Sequence, residues 1–264
     1  LLEIVSEPDL QSAEEAVTFA RELHALCVFL GVTGGVMQKG HMRFEPNVNV
    51  VMTLEDGSEV ATPIAEVKNL NSFRAIKGAI EYESKRQVEQ WKKDGVEMGP
   101  GRKATFGWDP EKMRTILQRS KEDAHDYRYF PEPDLVPLRV DQAWRDQVRS
   151  RLPELPQARR QRYTGTYGLP EKDAKALVAD PNFCFFYEDA IENVSSAAAH
   201  ATAKLLLNTA AKMANEHNTT VPELGVSPQQ VAALVELRAS GDIGSNAVET
   251  IFGLLCQEDT DASE

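Results

Sequence analysis

The feature that most constrains the fold of this chain is a change in its hydrophobic period near residue 138. Before that point, segments with apolar residues at every second position alternate with segments that repeat every three to four residues. After it, only the helical period remains, broken at Pro153, Pro170 and Pro181. The first pattern predicts a sheet packed with helices, and the second predicts helices alone.

We therefore expect an α+β fold that continues into helices. Residues 1–138 are predicted to form a mixed or antiparallel sheet with helices, residues 139–220 an all-α helical domain, and residues 221–264 a short helical tail. Strands are expected over 1–6, 42–54, 59–68, 102–108 and 113–119, and helices over 12–30, 72–94, 227–239 and 246–256, with several more between 141 and 217. The alanine-rich stretch 197–211 indicates close helix packing.

The composition excludes several classes of protein. Of 264 residues, 42% are hydrophobic, which is enough to build a core and argues against a disordered chain. No apolar run approaches the roughly 20 residues of a membrane span, so we expect no membrane contact. The first residues carry neither Met nor a leader, so we expect a piece of a longer protein. Three widely spaced cysteines without a CxxC pair favour buried thiols in a reducing compartment.

Common catalytic signatures are absent from the sequence. It contains no GxxxxGK[ST], HExxH or GxSxG motif and no EF-hand loop. Its five histidines are scattered, and no pair of them has metal-ligand spacing. A catalytic site must therefore be assembled from strands and loops that are distant in sequence.

Two polar features interrupt segments that are otherwise predicted as strands. Glu3 lies among Leu2, Ile4 and Val5, and it is either a solvent-facing residue or a carboxylate held for a hard cation such as Mg²⁺. Further along, four polar residues spaced two apart share one strand face, namely Arg43, Glu45, Asn47 and Asn49. That face is either solvated or the floor of a polar pocket, and the asparagines, which are rare in strands, favour the pocket.

A third polar feature lies where a strand is predicted to meet a helix N-terminus. Lys68, Asn69 and Asn71 occupy this junction, and backbone N–H groups at such places bind anions. The alternative is that Asn71 or Ser72 simply caps the helix.

Two charged segments follow this junction. The segment 120–134 combines aromatic and charged residues without a regular period, which is typical of a functional loop or a stiff connector between domains. Seven arginines against three acids lie between residues 139 and 162, although the net charge of the whole chain is −12. This local excess either contacts nucleic-acid phosphates or forms a solvated helix face.

Four motifs in order give the chain a specific resemblance. They are LEIVSEPD at 2–9, VKNLNSF at 67–73, HDYRYFPEPDL at 125–135 and LPELP at 152–156. On these motifs the chain resembles the GatB family, the B subunits of the aspartyl/glutamyl-tRNA amidotransferases. The resemblance spans nearly all of the sequence, beginning inside the family's catalytic cradle domain and ending inside its tail domain.

The resemblance implies an enzymatic function. In this family, GatB uses ATP to phosphorylate the side-chain carboxylate of glutamate or aspartate misacylated onto tRNA(Gln) or tRNA(Asn). Ammonia that the partner GatA releases from glutamine then forms the amide, and the small partner GatC ties GatA to GatB. The chain is therefore expected to be part of a cytoplasmic, heterotrimeric ligase that requires ATP and Mg²⁺ and binds misacylated tRNA.

The resemblance also implies roles for individual residues. Glu3 matches a Mg²⁺-binding glutamate, and the family's other ligands, a histidine and a glutamate, are expected upstream. Six polar residues of the cradle are expected to meet phosphate or aminoacyl groups: Arg43, Glu45, Asn47, Lys68, Asn69 and Asn71. Five arginines are expected to contact tRNA: Arg149, Arg151, Arg159, Arg160 and Arg162. One departure is that an acidic pair of the family is Gln38-Lys39 here, which makes the local charge less negative.

Two other interpretations remain open at this point. The first is a non-catalytic module for tRNA binding or assembly within such a complex. The second is the related archaeal GatE, which is disfavoured because Pro133-Asp134-Leu135 leads directly into helices without the insert usual in that protein.

Overall fold

The computed structural model describes residues 2–120, 133–192 and 194–257. The strands are β1 (Asn47–Val48), β2 (Val51–Thr53), β3 (Glu59–Ala61), β4 (Ala65–Lys68), β5 (Ala104–Asp109) and β6 (Arg114–Ser120). The helices are α1 (Ala13–Phe29), α2 (Phe73–Asp94), α3 (Gln142–Arg151), α4 (Pro156–Thr166), α5 (Glu171–Leu177), α6 (Pro181–Ala190), α7 (Ser196–Leu205), α8 (Ala211–Glu216), α9 (Pro228–Ser240) and α10 (Ser245–Leu255). They divide into two compact units, Leu1–Gln142 and Ala143–Glu264.

The first unit contains a four-stranded mixed sheet with the order β1-β4-β5-β6. Strands β4 and β5 run parallel and are connected through α2, whereas β1 pairs with β4 and β5 with β6 in antiparallel fashion. A separate hairpin joins β2 to β3. The α+β prediction is confirmed, and so is the turn at residues 55–58, where Asp56 accepts a hydrogen bond from the backbone N–H of Ser58.

Helix α2 covers one face of this sheet, and small residues allow the close approach. Ala79 and Val67 are fully buried there, together with Trp108 of β5. Gly78 faces the indole of Trp108, and a β-carbon at that position would lie only 3.0 Å from the ring atom Cζ2. The apolar face of the sheet is therefore closed, and the opposite face carries the polar residues described below.

Three strand predictions were wrong. Residues 2–6 form no strand pairing and are exposed. The strands predicted over 42–54 and 59–68 are each split, because the chain leaves the four-stranded sheet to form the hairpin. Thr62 and Val50 mark the split, since the Thr62 hydroxyl accepts a hydrogen bond from the backbone N–H of Val50 at 2.8 Å. Pro63 follows, and proline cannot donate to a ladder.

The second unit is built from helices, as the period after residue 138 predicts. Helices α7 and α8 form one continuous rod through a π-helical turn at Leu206–Ala210. The predicted close packing of the alanine-rich stretch is confirmed, because Ala199, Ala203 and Ala210 are buried. Helix α9 packs against α6 and α7, so helices from both sides of residue 220 share this unit. The boundaries at 138 and 220 stay predictions.

The structure also bears on the expectations of buried thiols and of no membrane-spanning helix. Cys184 is buried, whereas Cys27 and Cys256 are partly buried. Among the described residues, no helix is both long enough and apolar enough to cross a membrane.

Candidate functional site

Strand β4 and the residues just before β1 bring a carboxylate–lysine cluster together on the polar face of the sheet. The Nζ atom of Lys68 lies 3.1 Å from Oε2 of Glu45 and 3.2 Å from Oε1 of Glu66. The register explains the contact, because Asn47 pairs with Glu66 and residues two positions apart on one strand share a face. Two residues predicted from the sequence, Glu45 and Lys68, therefore meet in space.

Strand β5 and the residue before it add two groups to the same face that the sequence did not indicate. The Nζ atom of Lys103 lies 3.4 Å from Oε2 of Glu66, so the Glu66 carboxylate bridges Lys68 and Lys103. Thr105 pairs directly with Glu66 and is only 2% exposed. We call Glu45, Glu66, Lys68, Lys103 and Thr105 the sheet-face cluster.

The lysine at the centre of this cluster is firmly cationic. A hydrogen bond to Glu45, followed by one to Glu66, raises the pKa of the Lys68 ammonium above its ordinary value. Such a group can bind an oxyanion or stabilise negative charge at neutral pH. It is poorly suited to act as a general base, because a base must first lose that proton.

The polar strand face predicted around residue 45 is visible in the burial pattern. Arg43, Glu45, Asn47 and Asn49 are all exposed, whereas the alternate residues between them are buried or partly buried. Asn47–Val48 is the part of this stretch that forms a regular strand. Within the described residues this strand face is therefore exposed to solvent, which is the first of the two alternatives. The roles of Arg43 and Asn47 toward a substrate stay predictions.

The capping expected at the strand-to-helix junction is present, and anion binding there stays a prediction. Ser72, not Asn71, is the N-cap of α2, because its hydroxyl accepts a hydrogen bond from the backbone N–H of Ala75 at 3.1 Å. Asn69 adopts a left-handed conformation with φ of 64°, and its Nδ2 donates to the carbonyl of Trp108 at 3.1 Å. Asn69 thus ties the junction to β5. Asn71 is exposed, and its role toward a phosphate or aminoacyl group stays a prediction.

The predicted metal ligand lies apart from any set of donors. Glu3 is exposed within an unpaired segment that also exposes Leu2, Ile4 and Val5. Among the described residues, no group of three His, Cys, Asp or Glu side chains is placed to hold a metal ion. Because a hard cation needs several oxygen ligands, these residues do not by themselves form a Mg²⁺ site. Glu3 as one ligand stays a prediction.

A second polar network, which the sequence also did not indicate, is buried between α2 and the strands. Glu83 is fully buried and accepts two hydrogen bonds from Arg86, at 2.9 and 2.7 Å, and one each from Gln87 and Thr115. Burial alone would raise the pKa of the Glu83 carboxyl. The hydrogen bonds from Arg86, Thr115 and Gln87 outweigh that effect and hold the pKa below its ordinary value.

This network continues from α2 into the hairpin. Gln87 donates through Nε2 to the carbonyl of Val48 at 3.0 Å and accepts a hydrogen bond from the hydroxyl of Thr62. The Thr62 hydroxyl in turn accepts the hydrogen bond from the backbone N–H of Val50. The network thus fixes the point where the chain leaves the four-stranded sheet, and its role is structural.

The five arginines predicted to contact tRNA fall into two groups. Arg149 and Arg151 of α3 are exposed, and Nη1 of Arg149 lies 3.4 Å from Oδ1 of Asp146. Arg160 is partly buried, whereas Arg159 is only 7% exposed. Helix α3 buries none of its described residues, but α4 buries Pro156, Arg159 and Tyr163.

The arginines of α4 are engaged in a third network, centred on Glu188 of α6. Its Oε1 lies 2.8 Å from Nη1 of Arg159 and 2.7 Å from Nη2 of Arg162, and it also accepts a hydrogen bond from the hydroxyl of Tyr163. Arg162 also donates to the Glu154 carboxylate through Nε and Nη2. Burial raises the pKa of the Tyr163 phenol, which therefore stays protonated. These contacts join α4 to α6, and a phosphate role for Arg159 and Arg162 stays a prediction.

The aromatic and charged loop predicted over 120–134 lies largely outside the described residues. Its two alternatives, a functional loop and a connector, stay predictions.

Comparison with known families decides the relationship of the chain. A model described as the GatB/GatE catalytic domain matches residues 1–146, which is more than half of the chain. The chain belongs to the GatB family. A second model, described as the GatB domain, matches residues 185–264, so the resemblance carried by the sequence motifs is confirmed.

Three similar bacterial proteins are all named as the B subunit of an aspartyl/glutamyl-tRNA(Asn/Gln) amidotransferase. The protein of Paraburkholderia xenovorans is 41% identical over 98% of this chain, and 51% of its own length is covered. The protein of Cupriavidus pinatubonensis is 42% identical over 94% of this chain, and 50% of its own length is covered. The protein of Burkholderia cenocepacia is 40% identical over 98% of this chain, and 51% of its own length is covered. The GatB chain spans about half the length of the curated relatives it matches.

Proposed function

We propose that this chain is part of the GatB component of a tRNA-dependent amidotransferase. Its complete complex would use ATP to activate the side-chain carboxylate of Glu-tRNA(Gln), Asp-tRNA(Asn) or both, and would form the amide with ammonia derived from glutamine. The observation that carries this proposal is the match of residues 1–146 to the GatB/GatE catalytic domain. The sheet-face cluster lies within that range.

The chemistry explains why positioned lysines suit such a reaction. A carboxylate is a poor acyl donor because oxide is a poor leaving group, whereas an acyl phosphate releases phosphate. Phosphoryl transfer to the carboxylate brings two anions together, and positioned cations offset their repulsion. The protonated Lys68, with Glu45 and Glu66 fixing its position, supplies one such cation.

Partners and location follow from the same proposal. GatA and GatC, the A and C subunits of the amidotransferase, would complete a heterotrimer in the cytoplasm, with misacylated tRNA as substrate. Mg²⁺ would accompany ATP, and Glu3 would contribute one ligand beside others outside the described residues. The roles of Lys68 and its neighbours do not depend on that ion.

The proposal is tested in the complete reconstituted complex. Amide formation on Glu-tRNA(Gln) and on Asp-tRNA(Asn) is measured with and without ATP, and glutaminase activity is measured in the same samples. We expect amide formation that requires ATP, and we expect Glu3→Ala to abolish it while glutaminase activity remains. Glu7→Ala is the matched control, because Glu7 is exposed in the same segment.

Two results would contradict the proposal or part of it. An ATP-independent complex, or one that forms no amide on either tRNA, would leave only the alternative of a tRNA-binding or assembly module. Near-normal amide formation by the Glu3→Ala complex would remove Glu3 from the site and leave the rest of the proposal standing.

A further inference from the structure

The polar face of the four-stranded sheet contains a buried hydroxyl that has no visible structural use. Thr105 of β5 is only 2% exposed, and within the described part of the chain its Oγ1 atom finds no hydrogen-bond partner. Buried hydroxyls are almost always paired, because an unpaired one loses its hydrogen bonds to water without replacement. A valine of the same shape would avoid that loss, so the hydroxyl needs another explanation.

The sheet register places charged residues on both sides of this hydroxyl. Thr105 pairs with Glu66 of β4 on one side and with Arg119 of β6 on the other. Directly paired residues point to the same side of a sheet, as do residues two apart on one strand. Lys103 and Lys68 therefore share this side, and the face around Thr105 holds three cations.

Glu66 fixes two of these cations relative to each other. One of its carboxylate oxygens lies 3.2 Å from Lys68 Nζ and the other lies 3.4 Å from Lys103 Nζ. An ammonium group has three N–H donors, so each lysine retains donor capacity beyond these contacts. The lysine side chains are 36% and 38% exposed, which leaves them within reach of a bound molecule.

We propose that Thr105 is a substrate-binding residue whose hydroxyl donates to an oxyanion that Lys68 and Lys103 also contact. Glu66 is the positioning residue that holds the two ammonium groups on either side of the oxyanion. This inference rests on the proposed function, which supplies two oxyanions: the side-chain carboxylate of the aminoacyl ester and a phosphoryl group of ATP. Because the Thr105 hydroxyl is buried, neighbouring groups must shift to admit either of them.

The test compares Thr105→Val and Thr105→Ser in the complete amidotransferase complex. Valine removes the hydroxyl and keeps the shape, whereas serine keeps the hydroxyl. Because the hydroxyl has no partner among the described residues, we expect Thr105→Val to retain the thermal unfolding midpoint of the native protein. We expect the KM of one substrate to rise at least about tenfold in Thr105→Val, and Thr105→Ser to stay close to the native value.

A matched control and separate substrate titrations make the outcome specific. Thr53→Val changes an exposed threonine on β2, and it should leave both KM values unchanged. A higher KM for ATP identifies the oxyanion as a phosphoryl group, and a higher KM for aminoacyl-tRNA identifies it as the carboxylate. A Thr105→Val complex with native KM values for both substrates would overturn the inference and leave the proposed function intact.

A binding experiment separates failure of the proposed function from failure of the inference about Thr105. If the native complex makes no amide with ATP, equilibrium binding of ATP to the native and Thr105→Val proteins replaces the kinetic test. Weaker ATP binding by Thr105→Val than by Thr53→Val would still support an oxyanion subsite at Thr105. Equal binding of ATP by all three proteins, together with equal binding of misacylated tRNA, would overturn it.

Discussion

The sheet-face cluster and the Glu188 network contain the same kinds of groups in opposite settings. In the second unit, Glu188 joins Arg159, Arg162 and Tyr163, and these contacts connect two helices inside one compact unit. On the sheet face, the lysines are more than a third exposed, and a buried hydroxyl beside them stays unpaired in the described part of the chain. A carboxylate–cation cluster is thus no indicator of function by itself. Its exposure and its unpaired atoms distinguish the two cases.

The two clusters give opposite expectations for mutations. Breaking a buried ion pair leaves a charge without water or a partner, which costs several kcal/mol of stability. Breaking an exposed pair costs about 0–1 kcal/mol, and on the sheet face the buried Glu66 keeps Lys103 as a partner when Lys68 is lost. Changes in the Glu188 network should therefore lower stability, and changes in the sheet-face cluster should mainly lower activity.

The largest expected effect on stability comes from Glu188→Ala. This change leaves Arg159 and the hydroxyl of Tyr163 buried without their shared acceptor, and we expect the free energy of unfolding to fall by about 3–5 kcal/mol. Urea denaturation of this chain measures it. Asp189→Ala is the control, because Asp189 is exposed on the same helix and should change stability by less than about 0.5 kcal/mol. Equal effects of the two substitutions would contradict the structural role of the network.

A smaller loss is expected from Glu83→Gln in the buried network of α2. The neutral amide cannot accept from Arg86, Gln87 and Thr115 as the carboxylate does, and we expect a loss of about 2 kcal/mol at neutral pH. Glu89→Gln, an exposed change on the same helix, should have almost no effect. Urea denaturation again provides the measurement.

The pH dependence of stability sharpens the prediction for Glu83. Its folded-state pKa lies below the ordinary value of 4.5, so its contribution to stability is complete above that pH. The contribution is lost as the pH falls through the folded-state pKa. The stability difference between the native chain and Glu83→Gln should therefore shrink below about pH 4.5. A difference that stays constant down to about pH 3 would show that the charge of Glu83 is irrelevant.

The smallest effect concerns the arginines. Arg151→Ala on the exposed helix α3 should weaken binding of tRNA about threefold at low salt and reduce the salt dependence, because one phosphate contact is lost. Arg159→Lys, which keeps a cation at the buried position, should leave tRNA binding unchanged. Filter binding at two salt concentrations measures both. Equal weakening of tRNA binding by the two variants would contradict the prediction that α3 contacts tRNA through Arg151 and that Arg159 of α4 does not.

The sequence predicts much of the fold because hydrophobic period and capping are local properties. The alternating burial around Phe44 and Val48, the hairpin turn at 55–58 and the start of α2 all depend on neighbouring residues and were confirmed, although the strand predicted over 42–54 is split. The parallel pairing of β4 with β5 was missed, because it depends on a crossover through α2 and not on either strand alone.

The candidate site was only half predictable for the same reason. Glu45 and Lys68 lie in motifs that draw attention, whereas Lys103 and Thr105 reach Glu66 only through that parallel pairing. For the arginines, composition did not show which of them are buried, and their contact with tRNA stays a prediction. The helical spacing of Pro156, Arg159 and Tyr163 indicates a buried face. The acceptor of Arg159 and Tyr163, Glu188, lies on another helix, and no local pattern identifies it.

The central claim, that the sheet-face cluster serves the reaction, is tested most directly by Lys68→Met in the complete complex, with amide formation and unfolding measured on the same protein. Lys85→Met is the control, because Lys85 is an exposed lysine of α2 outside the sheet-face cluster. We predict about a 100-fold loss of ATP-dependent amide formation for Lys68→Met, with stability changed by less than about 1 kcal/mol. Native activity together with a large loss of stability would show that the cluster holds the fold together and takes no part in the reaction.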